Sequence, residues 1–377
     1  MEEVSTLLAT ARSATGLSDF GSDSFMEGLE ILVKALRDEA NLNAMGDGFL
    51  QGRIVGHLKQ RLQIEDWYRR HPEIDDEVIA APLIGISLPR TGSTALSFLL
   101  GQDENARYLR SSEASEPCPP PCTLAPTGKK IHPDIASNMA AGQKSHVPLG
   151  DDGPAECQDL MALDFKSQIF LAFAQVPSYA DWLLNADLTS TYQYQRRALK
   201  LLQWRRPSKS WRLKCPTHLI YLNDLNKAFP DAKFVMTHRD PTDVMLSVID
   251  VYVDIVSRFT DHTDVAYLAE LNIRQWSEGM RRALAFRDAG NESRFYDIHF
   301  RAMHNDPVAE VRGLYQWLGE PLSEQFEIGM KQWWQENSEN REPSSVKKPE
   351  DYGVNLEQLR PLFAEYVDRL PAWTNKG

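Results

Sequence analysis

Hydrophobic positions recur at helical spacing through the first 80 residues. Phe25, Leu29, Leu32, Val33 and Leu36 mark one apolar face, and Ile54, Leu58, Leu62 and Trp67 mark another. The spacing predicts helices over residues 1–80. Pro72, in His71-Pro72-Glu73-Ile74, ends this stretch, because proline lacks an amide donor and restricts the residue before it. The pattern then changes. Short strand-like runs at Leu83–Ile86, Trp211–Lys214, Phe234–His238 and Phe295–Ile298 alternate with helical patterns. Asp240-Pro241 and Asp306-Pro307 each set a capping acceptor before a proline at the first helical position, the second opening a helix that ends at Gly319. Pro216-Thr217 opens a helix expected to run through Phe229.

Strands alternating with helices predict an α/β fold: a P-loop-like central parallel sheet flanked by helices over residues 81–377, with a helical N-terminal extension over 1–80. Residues 155–204 read as two or three helices, aromatic and apolar on one side. Ordinary core and a lipophilic substrate wall both account for that face. Residues 116–135, rich in proline, are expected to run extended over the surface. The polar stretch 335–350 is expected to be a mobile loop before a last helix at Leu356–Leu370.

Composition narrows the class. The chain has 377 residues, 42% of them hydrophobic and 25% charged, as soluble globular proteins do. A formal net charge of −12 argues against broad binding to nucleic acid or an anionic membrane, so any anion site must be local. The opening MEEVSTLLATARSATG has acids where a signal peptide has bases. The most apolar stretch, Ile169–Leu184, is broken by Gln175, Pro177, Ser178 and Asp181, so no transmembrane segment is expected and the location reads as cytoplasmic. Cys118, Cys122, Cys157 and Cys215 lack zinc-site spacing and read as free thiols.

The candidate chemistry starts at residues 82–101, PLIGISLPRTGSTALSFLLG. This is a strand, a tight turn and a helix N-terminus, carrying Arg90 and the hydroxyls of Thr91, Ser93 and Thr94 around Gly92. Unpaired amides and the positive end of the helix dipole suit such a terminus to phosphate or sulfate. A Walker loop needs lysine after its second glycine, and here Ser93 fills that place. A second constellation is Thr237-His238-Arg239-Asp240-Pro241 with Ser247 on the next helix. Arg239 and Ser247 could hold a second phosphate; alone, Arg239 could as well pair with Asp240 or Asp243.

These motifs resemble those of the sulfotransferases that use 3′-phosphoadenosine 5′-phosphosulfate (PAPS), in their bacterial-type branch with an N-terminal helical extension. Leu88-Pro89-Arg90-Thr91-Gly92-Ser93-Thr94 is similar to the family's 5′-phosphosulfate loop, and the Arg239…Ser247 spacing to its 3′-phosphate motif. Trp211 to Leu219, Phe229-Pro230-Asp231-Ala232, Pro177-Ser178-Tyr179 with Trp182, and Tyr352-Gly353-Val354 extend the resemblance over nearly the whole chain. The resemblance implies that Arg90, Thr91, Gly92, Ser93 and Thr94 hold the phosphosulfate. It gives Arg239 and Ser247 the 3′-phosphate, and places Lys214 at the bridging oxygen where leaving-group charge develops. A base is expected just after the phosphosulfate helix. Glu113 fits that spacing best and Glu116 competes; His146 is a second kind of base candidate, and both His146 and His218 are candidates on the acceptor side.

The implied reaction is sulfuryl transfer from PAPS, with adenosine 3′,5′-bisphosphate as product, to a hydroxyl of a small or lipid acceptor. It needs no metal, since arginine, lysine and helix dipoles meet the charge. Oligomerisation stays open. The rivals are a P-loop nucleotide kinase, which would need the missing Walker lysine, and a non-catalytic nucleotide-binding protein of the same fold. Two positions depart from the family pattern: Phe300 stands where many relatives have tyrosine, and Ser344-Ser345-Val346-Lys347-Lys348 where relatives often carry a histidine and a tyrosine.

Overall fold

A computed structural model describes residues 1–123, 152–207, 209–338 and 348–374. At its centre lie five parallel strands, β1 (Leu83–Ile86), β2 (Ala106–Tyr108), β3 (Ser210–Lys214), β4 (Lys233–His238) and β5 (Phe295–His299), in the spatial order β2-β3-β1-β4-β5. Every residue of β1 is buried, as befits the middle strand of a sheet covered on both faces. Its neighbours on the two sides are β3 and β4, so the chain leaves β1 in one direction and later crosses to the other. Ligands of such sheets bind at the carboxyl ends of the strands beside this reversal.

Three helices, α1 (Val4–Thr15), α2 (Met26–Asp38) and α3 (Ala44–Arg70), form the N-terminal extension. They share one continuous core with the sheet domain. Leu7, Leu29 and Ile54 belong to the same buried cluster as Phe165, Tyr192 and Leu213. Arg61 of α3 is fully buried in the seam. It donates to the carbonyls of Phe20 (2.7 Å), Ser22 (2.7 Å) and Leu163 (3.0 Å) and lies 3.5 Å from Asp164. Asp164 in turn accepts from Ser24 at 2.6 Å, Ser190 at 2.8 Å and Thr191 at 3.0 Å. A desolvated pair is tolerable only when its remaining donors and acceptors are met in this way.

Several expectations need correction. β2 was not foreseen, being three half-buried residues with no apolar run. The helix expected from Pro216 through Phe229 is instead a 3₁₀ turn, Pro216–Leu219, followed by a helix at Leu222–Ala228. The first part of the proline-rich stretch is not on the surface. Pro117, Cys118 and Pro120 are buried, and the Cys118 amide donates to Gln60 of α3 at 3.3 Å. Residues 335–338 continue the helix Glu324–Ser338, anchored by Trp333 stacked on Phe98 with centroids 5.2 Å apart. The last helical stretch is divided at Phe363 into Leu356–Leu362 and Ala364–Thr374. The segment 155–204 holds three α-helices, Gln158–Ala162, Pro177–Asn185 and Thr189–Gln203. Among the described residues no helix is long and apolar enough to cross a membrane, and no cluster of three or more His, Cys, Asp or Glu is placed to hold a metal ion.

Candidate functional site

The turn after β1 runs from Ser87 to Gly92 into helix α4 (Ser93–Leu100). Its interior is sealed by hydroxyls. Thr91 is fully buried, donates to the Leu88 carbonyl at 2.9 Å and meets Thr237 Oγ1 at 2.7 Å. Ser87 Oγ accepts from the Thr237 amide at 2.9 Å. These bonds pin the turn to the end of β4, and they leave Thr91 only its backbone to offer a ligand. Arg90 (φ 65°) and Gly92 (φ 92°) both adopt the left-handed conformation, costly for arginine and free for glycine. A Cβ at Gly92 would also lie 2.7 Å from Met303 Cε and 3.2 Å from Phe300 Cδ2. Such strain is retained at ligand-binding turns when the surroundings enforce it. The first turn of α4 follows, with amides that have no intrahelical acceptor.

The second anion motif joins this turn directly. Arg90 Nε donates to Ser247 Oγ at 3.1 Å, and Arg239 Nη1 donates to the Arg90 carbonyl at 3.3 Å. Ser247 lies on the helix Pro241–Val256, whose start is capped by Asp240 accepting from the Thr242 amide at 2.8 Å. Arg239 also pairs with Asp243 at 3.5 Å, the alternative partner open in the sequence, and lies over the Phe300 ring at 4.9 Å. Burial and the nearby Arg239 charge both push the Arg90 pKa down, against the opposing pull of Asp250. Two partly buried guanidiniums whose charges oppose each other favour an anion beside them.

Buried polar groups fix Arg239 from behind. The His238 ring meets Asp297 Oδ1 at 2.7 Å and Tyr366 Oη at 3.2 Å, and Tyr366 donates to the Arg239 carbonyl at 3.4 Å. Arg287 grips Asp297 with two bonds of 2.8 Å. Tyr352, from the Tyr-Gly-Val segment, donates to Asp250 at 2.5 Å and ties the C-terminal part of the chain to the helix that carries Ser247.

On the other side of β1, Lys214 ends β3 in register with Gly85. A Cβ at Gly85 would come within 3.1 Å of Lys214 Cγ, so the missing side chain gives the lysine stem its path along the sheet. Lys214 Nζ reaches Thr94 Oγ1 of α4 at 3.3 Å and Glu156 Oε1 at 2.7 Å. Glu156 carried no motif and was missed. It precedes a short helix among other acids, Asp152 and Asp159, and only the tertiary structure brings it to the lysine.

The remaining candidates are dispersed. Glu113 sits on α5 (Ser111–Ser115) beyond β2, its side chain only 8% exposed. Its carboxylate accepts from Arg107 at 2.9 Å, Arg206 at 3.5 Å and the Arg110 amide at 3.4 Å, partners that all lie outside the anion turn. Glu116 follows as the last residue around this helix. His218 is fully buried on the 3₁₀ turn after Lys214, with Nδ1 3.0 Å from Tyr192 Oη and no hydrogen-bond partner for Nε2 among the described residues. Burial pushes its pKa down to about 3 and keeps the ring neutral. His146 lies outside the described residues, as does Lys347.

A profile described as the sulfotransferase family matches residues 82–324. The crystal structure of sulfotransferase STF9 from Mycobacterium avium superposes with a TM-score of 0.89 at 30% identity, covering 98% of this chain and 96% of that one. Sulfotransferase STF1 from Mycobacterium tuberculosis H37Rv gives 0.84 at 28% identity, over 97% and 99% of the two chains. A curated relative, omega-hydroxy-beta-dihydromenaquinone-9 sulfotransferase Stf3 of Mycobacterium bovis, is 29% identical over 109 residues. That match spans 28% of each chain, little more than a quarter of the relative's length.

Proposed function

Since this chain belongs to the sulfotransferase family, we propose that it moves a sulfuryl group from PAPS to a hydroxyl of a lipophilic acceptor. The observation that carries the donor assignment is the contact of Arg90 with both Ser247 and Arg239. It makes one continuous anion crevice out of a helix N-terminus and a strand end, as a ligand with phosphates at two positions requires. In this reading the amides of Thr91–Thr94 with Arg90, Ser93 and Thr94 hold the 5′-phosphosulfate. Arg239 and Ser247 hold the 3′-phosphate. Lys214, one hydrogen bond from Thr94, meets the charge that grows on the leaving oxygen.

The lipophilic acceptor is supported by a relative named for a hydroxylated menaquinone, while the apolar face of 155–204 packs into the buried core. The test is transfer of labelled sulfate from PAPS to a panel of phenols, short alcohols and polyprenyl alcohols, with Arg90→Ala and Arg239→Ala as controls. Adenosine 3′,5′-bisphosphate should raise the melting temperature, since a ligand of the native state must stabilise it. Stabilisation by Mg-ATP instead, with ATP turnover, would turn the assignment to a kinase. Bisphosphate binding without transfer to any acceptor would leave a nucleotide-binding protein.

A further inference from the structure

We infer that Glu156, rather than Glu113, is the general base that takes the proton from the acceptor hydroxyl. The assignment rests on sulfuryl transfer being the reaction. Residues 153–157 cross the carboxyl ends of β2 and β3, held on both sides of Glu156. The Ser111 amide donates to the Gly153 carbonyl at 3.0 Å, the Ala155 amide to Leu109 at 2.8 Å, and the Cys157 amide to Lys214 at 3.2 Å. The backbone of Glu156 is therefore as fixed as a strand, and its side chain extends to Lys214 Nζ at 2.7 Å. Through Lys214 it stands one residue away from Thr94 on the first turn of the anion-binding helix.

Exposure and charge separate the two acids. The Glu156 side chain is 36% exposed and has one ammonium beside it, whereas Glu113 is 8% exposed and gripped by two guanidiniums. A base must be reachable by its substrate and free to accept a proton, and a carboxylate in a buried double arginine clamp is neither. Burial raises the pKa of the Tyr252 hydroxyl, on the helix that bears Ser247; a hydrogen bond with Gln275 opposes this, and the Glu156 charge adds to the rise.

The Lys214–Glu156 pair explains how both groups become available together. With the crevice empty of donor, each neutralises the other. A phosphosulfate at the N-terminus of α4 competes for the ammonium, and the carboxylate is left to accept a hydrogen bond from the acceptor. The acceptor O–H proton passes to Glu156 as its oxygen forms a bond to sulfur. The bond from sulfur to the 5′-phosphate oxygen breaks, its electron pair staying on that oxygen beside Lys214. The products are a sulfate ester and adenosine 3′,5′-bisphosphate, and Glu156 gives its proton to water.

The test uses PAPS with water as the acceptor, which needs no identified alcohol, and then any acceptor the wild type turns over. Release of bisphosphate from PAPS should fall about 10²–10⁴-fold in Glu156→Gln, the usual contribution of a positioned base. Bisphosphate should stabilise that variant as it does the wild type. In Glu156→Ala, added formate should restore part of the lost rate, a rescue that a purely structural role would not give. Wild-type turnover in Glu156→Gln, loss of its bisphosphate stabilisation, or formate without effect would each overturn the assignment. A wild type that is neither stabilised by bisphosphate nor able to release it from PAPS would overturn the donor reading itself, and the base assignment with it.

Discussion

Arg90 and Ser247 are 157 residues apart in the chain and 3.1 Å apart in the fold, joined by a guanidinium-to-hydroxyl hydrogen bond. The bond spans the carboxyl ends of β1 and β4 and makes the two anion motifs one unit. Bisphosphate affinity should therefore depend on both. Arg239→Ala removes charge-assisted bonds and should weaken binding by about 10–150-fold, from about 1.5–3 kcal/mol. Ser247→Ala removes a neutral donor and should cost about 2–12-fold, from about 0.5–1.5 kcal/mol. Isothermal titration with adenosine 3′,5′-bisphosphate reads both, and equal losses would count against this division of roles.

Gly92 is the one position of the turn where a side chain meets both strain and crowding. Gly92→Ala places an L-residue at φ 92° and a methyl against Met303 and Phe300. The left-handed conformation alone should cost about 1–2 kcal/mol of stability, measurable by urea unfolding. Bisphosphate stabilisation should drop as well, because relief of the strain moves the amides of the anion turn.

Acid should destabilise the fold from near neutrality. Burial lowers the His57 pKa to about 4 and the His218 pKa to about 3. Between an unfolded value near 6.5 and those folded values, the unfolded chain binds protons that the folded chain refuses, so stability falls as pH falls. Each histidine should contribute a slope of about 1.4 kcal/mol per pH unit below about pH 6.5. His218→Asn should remove its share, seen as a shallower difference between urea midpoints at pH 7 and pH 5. An unchanged slope would mean that the ring is protonated in the native state.

Thiol chemistry should single out Cys122. All four cysteines are free, and Cys118, Cys157 and Cys215 are buried while Cys122 is partly exposed. Burial raises the Cys157 pKa to about 12 and also raises those of the others. Maleimide at neutral pH should label Cys122 first, and the remaining three only on unfolding, as peptide mass mapping would show.

Much of this architecture was legible because parallel strands buried on both faces leave compact apolar signatures. Phe234–His238 and Phe295–Ile298 could be read directly, with Arg239 following at a strand end. β2 could not, since Ala106–Tyr108 is held by its pairing with β3 rather than by an apolar pattern. The helix through 335–338 was hidden by its polar composition, and it persists because Trp333 stacks on Phe98 far away in sequence. The residues proposed to hold the anion could be picked out because turn chemistry is local. The proposed base could not: Glu113 meets Arg206 from 93 residues away, and Glu156 meets Lys214 from 58. Such pairings leave no local spacing to read.

The seam around Arg61 also sets a timetable for assembly. Arg61 leaves the ribosome 103 residues before Asp164. At synthesis rates of about 5–20 residues per second, that interval is roughly 5–20 s. During it the guanidinium can meet the Phe20 and Ser22 carbonyls but not its carboxylate, and the apolar face of the first three helices that packs on later residues has no partner yet synthesised. They must wait, so a chaperone that shelters nascent helices should raise the yield of this protein more than its final stability would suggest.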